Sequence, residues 1–145
     1  MAMVLAERFS HILKVVYPTE EIYVQYIQPF LVVPLFKQLK AYIYELEQLF
    51  EEDKDKAFAY FNRPNGDFSL KDDKGVSIRL PHAFSHWSHA ATGGQFMITD
   101  VQGWKVKSGQ YVLTDPIVFS KEKGLGLIDF GTAGMDRLLE KHECS

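Results

Sequence analysis

The chain has 145 residues, enough for one domain with a real core, and its 46% hydrophobic and 24% charged content is that of a folded domain. A formal net charge of −3, with basic residues scattered along the chain, argues against a nucleic-acid binder that works by neutralising phosphates. No stretch is apolar over the length of a membrane span, and the lone cysteine, Cys144, excludes an internal disulfide and points to a reducing, cytoplasmic setting with no membrane partner.

Met1, Val4, Leu5, Phe9, Ile12, Leu13 and Val16 recur at helical spacing until Pro18, which predicts an amphipathic helix over residues 1–16. Ile22, Val24 and Tyr26 alternate with polar residues, as a half-buried strand does. The apolar run 30–36 reads as an edge strand, because Pro29 and Pro34 cannot donate to a ladder. Residues 35–50 carry two patterns. Leu35, Leu39, Ile43, Leu46 and Phe50 fit a helix, Tyr42-Ile43-Tyr44 favours a strand, and pattern alone tips towards helix. A solvated charge cluster follows at 51–56, then a turn at Asn62-Arg63-Pro64-Asn65-Gly66. Pro81 opens a second helix that runs to Ala91 and is ended by Gly93-Gly94. Beyond it the pattern predicts a buried strand over 95–101, a loop at 104–109 and a short strand over 111–114. A glycine-studded loop at 124–131 and a last helix over 133–142 complete the chain. Strands and helices mix without regular βαβ alternation, so the fold class is α+β.

Thr99-Asp100-Val101-Gln102-Gly103, followed by Thr114-Asp115-Pro116, is the most informative stretch. Residues two apart share a face of a strand, so Asp100 and Gln102 point the same way, and the glycine lets the backbone turn away. Asp115, returning on the neighbouring segment, can complete an oxygen cage for a hard divalent cation such as Mg2+, leaving one carboxylate for acid–base work. The plainer alternative for Asp115 is a turn, since Thr-Asp-Pro is common there. His86, His142 and Cys144 are three nitrogen and sulfur donors of the kind zinc takes, although ordinary surface residues would look the same. Gly126, Gly131 and Gly134 allow close backbone approach to an anion or a peptide, without the Lys-Ser/Thr ending of a Walker-type loop.

In fixed order the chain carries Ala83-Phe84-Ser85-His86-Trp87, the segment from Gly93 through Gly103, and Tyr111-Val112-Leu113-Thr114-Asp115-Pro116. Gly126-x-x-x-x-Gly131-x-x-Gly134-Met135 and His142-x-Cys144 follow. Together these resemble the C-terminal lobe of the alpha-kinase family of atypical protein serine/threonine kinases. The resemblance implies an incomplete alpha-type kinase fold, with an N-lobe remnant and hinge over 1–50 and a mixed C-lobe over 51–145. Asp100 would be the catalytic aspartate near the substrate hydroxyl, and Gln102 and Asp115 would hold Mg2+ at the phosphates of ATP. Gly126, Gly131 and Gly134 would form a loop beside the active site, and His86, His142 and Cys144 would bind a structural Zn2+. Residues 30–36 and 42–50 would be the strands leading into the hinge, which overrides the helix reading there. Glu47 would then lie beside the adenine, with Glu45 the alternative.

Four departures bear on activity. No residue matches the family's phosphate-contacting N-lobe lysine, and in the segment 58–66 Tyr60 stands where another lysine is expected. The fourth zinc ligand is absent, and the loop at 104–110 is long. Phosphoryl transfer depends on positioning and charge stabilisation, so losing part of the phosphate cradle implies transfer that is weak or absent in this chain. Two readings stand beside the kinase: a catalytically silent binding module, and a metal-dependent phosphoester hydrolase using Asp100 and Asp115.

Overall fold

The computed structural model describes residues 1–32, 44–47, 58–67 and 79–141. The expectations for 33–43 and 48–50, the charge cluster at 51–56, and His142 and Cys144 lie outside the described residues.

Helix α1 (Ala2–Val16) forms as expected but buries Ala2, Leu5, Ala6 and Phe9; of the expected stripe only Leu5 and Phe9 are buried, while Met1, Val4, Ile12 and Val16 are exposed. It lies on strand β1 (Tyr23–Tyr26), to which it is clamped by Ser10. The Ser10 hydroxyl donates to the Val24 carbonyl at 2.8 Å and accepts from the Val24 N–H at 2.9 Å. Strands β2 (Phe30–Val32) and β3 (Tyr44–Leu46) form an antiparallel pair. Residues 44–46 are thus strand and not helix, as the family resemblance implies.

The main sheet has the order β1-β7-β6-β4, built from β4 (Phe58–Tyr60), β6 (Gln102–Lys107) and β7 (Gln110–Thr114) beside β1. Strand β1 runs parallel to β7, and the other neighbours are antiparallel. A second ribbon pairs β5 (Phe96–Thr99) with β8 (Ile117–Ser120). Helix α2 (Arg79–Ala91) packs on β5, and α3 (Gly131–Glu140) packs on β8.

Two corrections follow. The loop expected at 104–109 is mostly strand: Trp104, Lys105, Val106 and Lys107 continue β6, and the chain reverses only at Ser108-Gly109. Lys105 and Lys107 obscured the pattern because this side of the ladder is only partly covered. The strand expected over 95–101 breaks at Asp100, whose φ of 53° leaves the β region, so β5 and β6 are separate strands of separate sheets. Gly103 is therefore no turn residue. It lies inside β6 at a φ of 143°, and a Cβ there would run into the Val112 carbonyl and come within 2.8 Å of Leu113 Cα.

One core joins the start of the chain to its middle. Phe9, Val24 and Tyr26 share a cluster with Phe61, Phe84, Ile98, Val101, Tyr111 and Leu113. Ring pairs such as Phe9–Phe84 at 5.5 Å and Phe61–Tyr111 at 5.2 Å knit α1, α2 and the main sheet together. Met97, Phe119, Met135 and Leu138 form a smaller core under α3.

Candidate functional site

The break between β5 and β6 brings the predicted residues together. The register Thr99↔Ile117 in one ribbon and Gln102↔Thr114 in the main sheet holds residues 100–101 beside 115–116. Both links need unusual backbone: Asp100 has φ 53° and Asp115 has φ 44°, values that few residues other than glycine adopt and that aspartate tolerates better than most. Gln102 spans the gap, its Nε2 donating to Asp100 Oδ2 at 3.1 Å and to the Asp115 carbonyl at 3.3 Å. With the amide nitrogen occupied, its carbonyl oxygen is the atom left for a ligand.

Glu47, the residue after β3, joins this group. Thr114 Oγ1 donates to Glu47 Oε2, and the carboxylates of Glu45, Glu47 and Asp115 offer oxygens within 4.8 Å of one another. Glu45 and Asp115 are exposed, and exposed carboxylates come this close without an ion as well as with one. All-oxygen donors of this kind match the preference of Mg2+, which keeps the rest of its shell for water and phosphate, so the residues present fit that ion. Burial pushes the Asp100 carboxyl above the usual carboxylate range; the nearby Arg63 cation opposes the rise and Asp115 adds to it.

Behind the site lies a brace that sequence reasoning reached only in part. Asn62 is 1% exposed. Its Oδ1 accepts from Val101 N at 2.9 Å and its Nδ2 donates to Ser85 Oγ at 2.7 Å, tying the residue next to Asp100 to β4 and α2. Buried Tyr26 lies near enough that the charge of Asp100 reinforces the effect of its own burial, holding the phenol neutral. The Tyr26 hydroxyl has no hydrogen-bond partner among the described residues.

The glycines lie elsewhere on the chain's path. The loop 121–130 leaves β8 at the end away from Asp115, and it is organised by Asp129, buried at 1% exposure. This carboxylate accepts from Ser120 N at 2.9 Å, Gly131 N at 2.9 Å, Leu125 N at 3.1 Å and Ser120 Oγ at 2.5 Å. Burial pushes Asp129 up, yet the hydrogen bonds from Ser120, Gly131 and Leu125 prevail and hold its pKa down at about 2. Gly126 and Gly131 take positive φ around this carboxylate, and Gly134 lets α3 close on Phe119, whose ring a Cβ would meet at 2.6 Å. Asp129 was legible only as part of a glycine loop, because nothing in the local pattern shows which way a loop carboxylate turns. His86 is half-buried on α2, and the other two proposed zinc donors lie outside the described residues.

The alpha-kinase family model matches residues 1–145. The chain belongs to the alpha-kinase family. It is 33% identical over 86 residues to "Alpha-protein kinase 1" of Dictyostelium discoideum, which covers 59% of this chain and 6% of that protein. It is also 32% identical over 66 residues to "Myosin heavy chain kinase A" of the same organism, covering 45% of this chain and 5% of that protein. Among solved structures, the apoenzyme alpha-kinase domain of myosin-II heavy chain kinase A superimposes with a TM-score of 0.73 at 20% identity, over 100% of this chain and 52% of that one. The same domain in complex with AMP-PNP gives 0.70 at 20% identity, over 100% and 51%. The alpha-kinase chain described here thus spans about half the length of the solved domains and a small fraction of the full-length relatives. Among its described residues no helix is long and apolar enough to cross a membrane.

Proposed function

We propose that this alpha-kinase chain forms the ATP- and Mg2+-binding side of a protein serine/threonine kinase site, acting on protein hydroxyls. The observation that carries the reading is the bridge made by Gln102 between Asp100 and the Asp115 segment, with Glu45 and Glu47 gathered on the same side. Family membership makes a kinase the first function to test, and a solved relative that binds AMP-PNP supports a nucleotide as the ligand.

Asp115 and the carbonyl of Gln102 would hold the ion, with Glu47 beside them; the bound ion supplies positive charge to the phosphates. Asp100 has a different task. Its raised proton affinity and its place at the rim suit it to accept a hydrogen bond, and then the proton, from an incoming hydroxyl. The strained backbone at Asp100 and Asp115 holds both carboxylates in place before substrate arrives. The loop with Gly126, Gly131 and Gly134 leaves β8 away from Asp115 and is shaped by Asp129, so in this reading it does not touch the ion.

Melting the protein with and without Mg-ATP tests the reading. A ligand that binds only the native state at a hundredfold excess over its Kd adds about 2.7 kcal/mol. A rise in Tm that disappears in Asp115→Ala supports the site, and no rise at saturating Mg-ATP removes it. The structural zinc of His86, His142 and Cys144 belongs to the same reading, and metal analysis decides it: one zinc per chain supports the set, and none rejects it.

A further inference from the structure

The segment 58–66 carries tyrosine where the family resemblance calls for a lysine, yet the fold returns a cation to this spot by another route. Arg63 lays its guanidinium over the ring of Tyr60, 4.5 Å from the centroid. Tyr60 is the residue opposite Gln102 in the β4–β6 ladder, so the stacked cation hangs beside the bridge that joins Asp100 to Asp115. Its backbone is fixed as well. Arg63 N donates to the Asp67 carbonyl at 2.8 Å and Gly66 N donates to the Arg63 carbonyl at 2.9 Å, closing a tight turn. On the other side, Phe61 N donates to the Val101 carbonyl at 2.8 Å, which pins the segment to the link carrying Asp100. Arg63 is exposed, so neither core packing nor a buried ion pair accounts for its placement.

We propose that Arg63 is an anion-binding residue of this site, donating its guanidinium to phosphate oxygens of the nucleotide held at Asp100, Gln102 and Asp115. The inference rests on the nucleotide reading given under Proposed function. Its physical ground is charge balance. Asp100, Asp115, Glu45 and Glu47 all repel a phosphate chain, and a single divalent ion cannot offset both them and the nucleotide. A planar guanidinium presents paired donors matched to phosphate oxygens, and stacking on Tyr60 fixes the plane in advance. The felt charge agrees: Arg63 is the group that restrains the rise of the Asp100 carboxyl.

The test measures the Kd for Mg-ATP by calorimetry in the wild-type chain, Arg63→Ala, Arg63→Lys and Tyr60→Leu, with the Tm of each protein without nucleotide. Arg63→Ala should weaken binding about tenfold or more, the scale of a charge-assisted hydrogen bond, with the nucleotide-free Tm unchanged. Arg63→Lys should recover part of the loss, and Tyr60→Leu should fall between the wild type and Arg63→Ala. Wild-type affinity in Arg63→Ala overturns the inference while leaving the nucleotide site standing. An affinity loss that comes with a lowered Tm and no recovery in Arg63→Lys also overturns it, because the role would then be structural. A wild-type chain that does not bind Mg-ATP removes both readings together.

Discussion

Asp129 shows how much a single residue can hold. Four donors converge on one buried carboxylate, so its charged form is strongly favoured in the folded chain. Its pKa is about 2 when folded, below the ordinary carboxylate value near 4, which makes the contribution to stability present above pH ~4 and lost as pH falls through 2. The size is about 2 kcal/mol. Replacing Asp129 by Ala should lower the Tm at pH 7 and flatten the acid limb of the stability curve between pH 4 and pH 2. An unchanged limb would show that the carboxylate is not charged and buried as described. Asn62 is the second such residue. Asn62→Ala leaves Val101 N without its buried acceptor and Ser85 Oγ without its donor, at a cost of about 2–3 kcal/mol that a denaturant midpoint would read. Its polar groups close the inside of the site, whereas Arg63 works from the outside.

At the level of elements, the ladders decide where the chemistry falls. Strand β6 approaches β7 so closely at Gly103 that no side chain fits, and Gly103→Ala should cost about 3 kcal/mol and loosen the Gln102 bridge one residue away. A variant as stable as the wild type would mean that β6 and β7 are further apart than described. Helix α1 was legible from its helical spacing, although more than half of that stripe is exposed, and α2 from Pro81 at its start and Gly93-Gly94 at its end. Strand β1 was legible from its alternation, and β5 and β7 as short apolar runs that the fold buries almost throughout. Strand β6 was not: its charged residues face a partly covered side of the sheet, and no local pattern announces that Gly103 is a packing glycine rather than a turn. The break at Asp100 was equally hidden, since Thr-Asp-Val-Gln reads as continuous strand and only a positive φ separates the two sheets. Asp100, Gln102 and Asp115 could be named from their order and spacing. The attachment of Glu47 to Thr114, the stacking of Arg63 on Tyr60 and the anchoring by Asn62 depend on contacts between segments far apart in sequence, which spacing does not encode.

Across the whole molecule, α1 and β1 share one core with α2 and the main sheet, while the β2–β3 pair brings Glu45 and Glu47 to the end of that sheet where β7 delivers Asp115. The acidic site therefore lies where the β2–β3 pair meets the main sheet. Everything proposed for the site depends on one convergence, that of the side-chain oxygens of Gln102 and Asp115 on a common cation. The most direct test is a crystal of the chain grown with Mn2+ and AMP-PNP, in which the anomalous signal locates the ion. The arrangement predicts a peak within about 2.5 Å of oxygens from both Asp115 and Gln102, with the phosphates on its open side. A peak bound to neither residue, or nucleotide bound away from them, would contradict it.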